Sequence, residues 1–419
     1  VFGNPVKRIL LPLLVASAGL FLLLAGAAQA SSTCDQMRAW LRQGGGSASG
    51  LLVVDTASGQ VMCASAPGRA RPLASNMKLF TTSAALSQLG PDHRISTKVF
   101  RDGRVDADGV LHGSLYLKGG GDPTLGTPGF YGSYLGGLGT NIFALAPQIK
   151  ATGITAITGR LYADETIFDR RRGVADSGYA TSPYIGPLSG LAFNSGFSGA
   201  TSASGFSSSP AKLAASKLAG SLRKAGVRVP TQVALRPTPP SAERVALVRS
   251  PSLDRIVNLT DVYSDNFFAE TLIKLLGAEF AGAGTTAAGA GVVEAFARSH
   301  DASVQAVDGS GLTRSNRSSP REIVDLLLGM QEDPAGEEFI QDLALAGQEG
   351  TVASRMEGTA AYGRCRTKTG TISGVSNLSG YCFNRSGRVM AFSILMAGVG
   401  SLSLAHLDQD RIAAAVAGY

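Results

Sequence analysis

Arg71-Pro72-Leu73-Ala74-Ser75-Asn76-Met77-Lys78-Leu79-Phe80 opens an apolar run that continues through Leu86 and Leu89 and stops at Gly90-Pro91. The pattern predicts a helix with Ser75 in its first turn. A spacing of three puts Ser75 and Lys78 on one face, within side-chain reach. A helix N-terminus also favours negative charge developing beside it. A hydroxyl next to an amine that can take its proton is a nucleophile with its base; a plain N-cap serine is the alternative. The spacing S-x-x-K recurs at Ser209–Lys212 and Ser221–Lys224. Ser209 ends a Ser/Gly-rich run, 196–209, that reads as loop. Ser221 lies in a basic helical pattern, 211–225, as a surface residue.

Two further motifs follow in order: Ser264-Asp265-Asn266, then Lys368-Thr369-Gly370 with Thr371 after it. Together the three spell S-x-x-K, S-D-N and K-T-G, the signature set of active-serine penicillin-interacting enzymes. Taken singly, Ser264 and Asn266 could be a helix cap and Lys368 an exposed strand lysine. There is no G-x-S-x-G elbow and no histidine in a Ser-His-Asp pattern, so a lysine must be the base and must be neutral to act. Desolvation and crowding by the second cation, Lys368, are both expected to lower the Lys78 pKa.

The start of the chain reads as an export signal, 1–30: Lys7 and Arg8, an apolar stretch from Ile9 to Leu24, and the small-residue site Ala28-Gln29-Ala30. Net charge is +7, of which Lys7 and Arg8 supply two, leaving +5 for the remainder. Mild basicity suits an anionic cell wall, and no Lys/Arg run with interleaved aromatics points to nucleic acid. The expected location is the periplasm or cell-wall space, with at most peripheral membrane association. Four cysteines, Cys34, Cys63, Cys365 and Cys382, make an even set that favours disulfides outside the cytoplasm. The K-T-G strand, 364–371, and a returning strand, 377–383, fold about 373–374 and bring Cys365 opposite Cys382. Cys34–Cys63 follows by elimination. No C-x-x-C is present and the four histidines are scattered, so neither metal nor cofactor is expected.

Along the chain, 35–42 reads as a helix, 51–56 and 61–64 as a hairpin, and the region from 97 as short strands. Helices return at 254–259, 267–280, 321–331 and 338–344, with Glu270 and Lys274 as an i,i+4 pair. Strands at 364–372, 377–383 and 388–396 and a helix at 408–417 complete the pattern.

Longer stretches carry a family likeness: Gly119-Gly120-Gly121-Asp122-Pro123-Thr124-Leu125, Ala163-Asp164-Glu165-Thr166-Ile167-Phe168-Asp169, Pro183-Tyr184 with Leu191-Ala192-Phe193-Asn194, Asp308-Gly309-Ser310-Gly311-Leu312-Thr313-Arg314, and Gly350-Thr351. With the three motifs, the chain resembles class C low-molecular-mass penicillin-binding proteins, the D-alanyl-D-alanine carboxypeptidase/endopeptidases of peptidase family S13. The resemblance implies an α/β (α+β sandwich) fold. Its penicillin-binding-protein/serine β-lactamase-like domain, 31–96 and 250–419, has an antiparallel sheet flanked by helices, and a strand-rich inserted domain occupies 97–249. Ser264 follows Ser75 by 189 residues, fewer than the family's full set of inserts needs, so a second inserted subdomain is expected to be missing or vestigial.

The resemblance also implies a serine D-Ala-D-Ala carboxypeptidase, with endopeptidase action through the same site. The substrates would be peptidoglycan stem peptides and the inhibitors β-lactams. In that reading Ser75 attacks, Lys78 takes its proton, and Ser264 passes a proton to the leaving amine. Asn266 positions Lys78 and the substrate amide. Lys368, Thr369, Gly370 and Thr371 hold the terminal carboxylate, and the backbone N–H groups of Ser75 and Thr371 form the oxyanion hole. Asp164 and Arg314 match positions that meet the free end of a diaminopimelate side chain; a turn residue and a surface ion pair are the alternatives. The rival functions are a β-lactamase, with Glu165 as a weak candidate for activating water, and a non-catalytic wall-binding protein on the same fold.

Overall fold

The computed structural model describes residues 32–419; the expected export segment, 1–30, lies outside the described residues. The first sheet has the spatial order Ala344–Leu345, Cys365–Ile372, Val375–Phe383, Val389–Ala397, Gly50–Asp55, Val61–Ser65. All its neighbouring strands are antiparallel. The N-terminal hairpin therefore pairs with the last strand of the chain, Gly50 opposite Leu395 and Asp55 opposite Met390. Side chains alternate between two cores. Leu52, Val54, Ala391 and Leu395 face one, and Leu51, Val53, Phe392 and Ile394 face the other. A strand buried on both faces needs apolar residues at every position, hence the near-unbroken apolar runs.

One face is covered by helices Met77–Leu89, Leu253–Val262, Asn266–Phe280, Thr286–Ser299 and Pro320–Glu332. The other is covered by a helix at 32–45 and by Leu402–Ala417. Helix Met77–Leu89 is buried at every residue from Met77 to Leu86, and its polar Lys78, Thr81, Thr82 and Ser83 each find a hydrogen-bond partner. The two disulfides are Cys365–Cys382, across directly opposed strand residues, and Cys34–Cys63, which ties the 32–45 helix to the hairpin.

The second sheet takes all its strands from Ser96 to Arg249, in the order Val233–Leu235, Leu161–Asp164, Val110–Lys118, Ser96–Val105, Glu243–Arg249, with Ala156–Ile157 added on Val110–Lys118. Leu161–Asp164 pairs in parallel on both sides; the remaining long pairs are antiparallel. Helix Pro210–Lys224 covers it with a stripe at Ala211, Ala214, Ala215, Leu218, Ala219 and Leu222, the i, i+3, i+4 spacing of one helical face. Ser209 stands just before this helix and Ser221 in its last turn, far along the chain from either other motif.

One helix goes unsignalled in the sequence, and two local readings need correction. Helix Thr286–Ser299 is not signalled by a strong apolar period, because it packs through glycine. A Cβ at Gly289 would overlap the Ile273 carbonyl, and one at Gly277 would meet Gly289 N. The helix read at 338–344 runs Gly336–Gln341, and Ala344–Leu345 is an edge strand. Glu270 and Lys274, expected as an i,i+4 pair, are both buried and each bonds a different partner. Lys274 Nζ donates to Asp169 Oδ1 (2.5 Å) and Arg171 O (3.2 Å), while Glu270 Oε1 accepts from Ser310 N (2.7 Å). Tertiary partners have overridden the local spacing.

Candidate active site

Ala74–Asn76 forms a single 3-10 turn that runs into Met77–Leu89, and Ser75 sits in that turn. Ala74 holds φ +46°, a left-handed conformation unusual for a residue with a Cβ. Gly311, at φ +88°, presses on it so closely that a Cβ there would overlap the Ala74 carbonyl. Asn76 ties this turn to the third motif: its Nδ2 donates to Lys368 O (2.8 Å) and its Oδ1 accepts from Ser379 Oγ (2.9 Å). Asn377, opposite Gly370, donates to Leu73 O at 2.7 Å. A Cβ on Gly370 would stand 2.9 Å from Leu73 O, 3.0 Å from Asn76 N and 3.1 Å from Ser75 N. Glycine in K-T-G is thus what lets the strand close on the nucleophile turn.

Lys78 is fully buried. Its Nζ lies 3.1 Å from Ser75 Oγ, 2.7 Å from Asn266 Oδ1 and 2.8 Å from the Ser310 carbonyl. The last two are pure acceptors, whereas the hydroxyl can donate or accept. A neutral amine therefore donates to Asn266 and Ser310 and points its lone pair at the Ser75 proton. Burial lowers the Lys78 pKa to about 8, against the opposing pull of Asp261, Glu270, Asp265 and Asp308. Crowding between the lysines falls on the other member: Lys368 is lowered by burial first and by Lys78 second. The sequence expectation that Lys368 depresses Lys78 is corrected accordingly.

Ser264 adopts φ +58°, a strained turn of the kind that clusters at functional sites. Asp265 caps the following helix by accepting from Phe268 N (2.9 Å). Asn266 then begins that helix with its amide fixed from both ends, Oδ1 to Lys78 and Nδ2 to Tyr184 O (3.0 Å). Lys368 Nζ donates to Ser264 Oγ (2.9 Å) and Thr369 O (3.2 Å). The edge strand Ala344–Leu345 pairs only with Thr367 and Arg366, so from Lys368 onward one edge of the K-T-G strand lies beside the cleft. Thr369 Oγ1 donates to Thr351 Oγ1 (2.8 Å). Ser75, Ser264, Thr369 and Thr371 line one cleft together with Thr351, Arg355 and His406.

The structure thus brings Ser75, Lys78, Ser264, Asn266, Lys368, Thr369, Gly370 and Thr371 together. It does not bring Asp164 with them. That carboxylate is buried, and both oxygens are taken locally: Oδ1 accepts from Thr166 N (3.0 Å) and Thr166 Oγ1 (2.6 Å), and Oδ2 from Thr238 N (2.8 Å). The turn-residue alternative describes it. Glu165 is likewise spoken for. It meets Arg172 Nη1 and Nη2 at 2.8 Å each and accepts from Ser189 Oγ, so it is held in a local ion pair. Arg314 is exposed and donates through Nη1 to Ser373 O (2.5 Å), over the turn that ends the K-T-G strand.

Four groups outside the three short motifs act at or behind the site. The Ser310 carbonyl holds Lys78, and Glu270 holds the Ser310 N–H. Asp308 ties the same loop, accepting from Gly311 N (2.7 Å), Thr313 N (2.8 Å) and Asn316 Nδ2 (2.7 Å). Asp261, fully buried on Leu253–Val262, acts electrostatically on both lysines. Burial pushes its own carboxyl up, with Lys368, Thr82 and Lys78 pulling it back. Among the described residues no cluster of His, Cys, Asp and Glu could hold a metal ion, and no helix is long and apolar enough to cross a membrane.

Comparison with known proteins agrees with this geometry. The chain matches the model of the D-Ala-D-Ala carboxypeptidase 3 (S13) family over residues 35–205 and 198–417. It is 33% identical over 456 aligned positions to the D-alanyl-D-alanine carboxypeptidase of Actinomadura sp. (strain R39), covering 89% of this chain and 82% of that one. Carboxypeptidase DacB of Mycolicibacterium smegmatis is 31% identical, over 80% of this chain and 73% of its own. In fold the chain resembles penicillin binding protein 4 of Haemophilus influenzae, with TM-score 0.76, 20% identity, and coverage of 90% and 99%. That protein is also known in complex with a β-lactam. The chain belongs to the D-Ala-D-Ala carboxypeptidase 3 (S13) family.

Proposed function

We propose that this S13-family chain is a serine D-Ala-D-Ala carboxypeptidase that works on peptidoglycan stem peptides through an acyl-enzyme. The observation that carries the reading is the Lys78 amine, set between two fixed acceptors with the Ser75 hydroxyl as its third partner. Lys78 takes the Ser75 proton as Oγ attacks the penultimate carbonyl. The backbone N–H groups of Ser75 and Thr371 receive the developing oxyanion. Ser264, poised by Lys368, hands a proton to the leaving D-alanine amine, and water then releases the acyl group. Asn266 fixes Lys78 and meets the substrate amide. Lys368, Thr369 and Thr371 hold the terminal carboxylate. Arg314, exposed beside the end of the same strand, meets a carboxylate on the stem-peptide side chain. A β-lactam enters by the same route and leaves slowly.

The segment 97–249 is read as a domain inserted into the body formed by 31–96 and 250–419; the self-contained second sheet supports this. The basic and apolar start of the chain supports export to the cell-wall space.

The test is Ser75→Ala. Labelling by fluorescent penicillin and D-alanine release from a pentapeptide should both vanish while the melting temperature is kept; covalent labelling that persisted would sink the assignment. Product masses from pentapeptide and from cross-linked muropeptide separate carboxypeptidase from endopeptidase action. Rapid turnover of penicillin would instead favour the β-lactamase reading.

A further inference from the structure

One end of the cleft is built by residues outside the three motifs. Gly350, at φ +49°, lies so close to the Val262 carbonyl that a Cβ would overlap it. The turn Gly350–Val352 is thereby pressed against the approach to Ser264 and delivers Thr351 onto Thr369. Four residues after Thr351 stands Arg355, its side chain 10% exposed. Its Nε donates to Asp410 Oδ1 (2.9 Å). Its Nη2 donates to Asp410 Oδ1 (2.6 Å), Gln409 Oε1 (3.0 Å) and the His406 carbonyl (3.3 Å). Nη1 donates to no protein group among the described residues, and Arg355 lines the cleft together with Thr369 and Thr371. A guanidinium keeps its charge at any working pH and presents its donors in a rigid fork. Here one side of the fork is locked onto the C-terminal helix and the other is left facing the cleft. That nitrogen is open to the cleft, and an incoming carboxylate would supply it with a partner through a charge-assisted bond.

We propose that Arg355, through Nη1, reads the free carboxylate at the C-terminal end of the substrate beside Thr369 and Thr371, and so selects peptides that end in a free acid. His406, on the helix that clamps Arg355, closes the same end. The proposal rests on the carboxypeptidase reading, because it needs a substrate whose terminal carboxylate lies along the K-T-G strand.

The experiment compares two N-acylated tripeptides, one ending in D-Ala-D-Ala and one in D-Ala-D-alaninamide, with wild type, Arg355→Gln, Arg355→Lys and Asp410→Asn. Arg355→Gln should lower kcat/KM for the acid roughly 10- to 100-fold, mainly through KM, the range of a lost hydrogen bond to a charged group. The amide should change less than about threefold. Arg355→Lys should restore part of the preference for the acid. Asp410→Asn, which loosens the clamp and leaves the cation, should keep most of it. Equal losses on both substrates with Arg355→Gln, or the same loss of preference with Asp410→Asn, would show that Arg355 only anchors the helix, and the assignment would be overturned. If wild type cleaved neither peptide, the carboxypeptidase reading would fail first and this one with it.

Discussion

Lys78 can act as a base only in the fraction of molecules where it has lost its proton, and the structure sets that fraction. At the ordinary lysine value of 10.5, about one molecule in 3000 is neutral at pH 7; at a pKa of about 8 it is about one in ten. Burial therefore raises the active fraction roughly 300-fold, equivalent to about 3.4 kcal/mol at 1.36 kcal/mol per pH unit. The sign follows directly: acylation should rise with pH, tenfold per unit, and level off near pH 8. The assay is the second-order rate of labelling by fluorescent penicillin between pH 5.5 and 9.5, with the protein folded throughout by circular dichroism.

The decisive perturbation is Asp261→Asn. Asp261 heads the charges that hold the Lys78 pKa up against burial. Removing that charge at nearly constant shape should move the plateau to lower pH and raise labelling at pH 6 relative to wild type. A profile flat from pH 6 to 9, with Ser75 still the labelled residue, would refute Lys78 as the base. A limb that moved to higher pH in Asp261→Asn would refute the electrostatic account of how Lys78 is tuned.

Two further outcomes follow from the packing. Gly370→Ala places a methyl against Leu73 O and the amides of Ser75 and Asn76. Penicillin labelling should fall roughly 10- to 100-fold, as expected of a displacement below 1 Å at a reacting group; wild-type labelling rates would contradict the close approach. Asp169→Asn leaves the buried Lys274 ammonium without its carboxylate, which should cost about 3 kcal/mol in urea unfolding with an unchanged m-value. Lys274→Met should cost less.

What the sequence disclosed and what it withheld divide along physical lines. The K-T-G hairpin was legible because its two strands are joined by a two-residue turn, so register followed from counting, and Cys365 faces Cys382. Ser75 and Lys78 were legible because three residues of helix fix their separation. Asp164 and Glu165 misled because a carboxylate reads as available until its neighbours are considered. Asp164 is an Asx-turn residue satisfied by Thr166 two positions on, a local device that D-x-T already spells. Lys274 was assigned to the nearest acid in its helix, whereas the partner that the fold supplies, Asp169, lies 105 residues away. Arg355 gave no signal, and the stretch 308–314 stood out only as a family likeness that did not single out the Ser310 carbonyl. The first depends on where one helix docks, and the second is a main-chain oxygen that any residue would carry.

The same division explains how two buried lysines can be tolerated at one site. Lys78 and Lys368 are both fully buried, and each loses hydration that no single partner restores. What restores it comes from the positions between the motif letters. Asn76, an unspecified x in S-x-x-K, bonds to the Lys368 carbonyl 292 residues away and so fixes the strand that carries the second cation. Ser310 offers a carbonyl to the first cation, and its own N–H is held by the buried Glu270. Asp261 stabilises the charged form of both lysines and keeps neither fully protonated, since burial opposes it. The motif residues perform the chemistry only because this second set holds two amines near the point of losing a proton. Substitutions in that set should therefore shift the pH profile of acylation before they abolish it, whereas substitutions in Ser75 or Lys78 should abolish it at every pH.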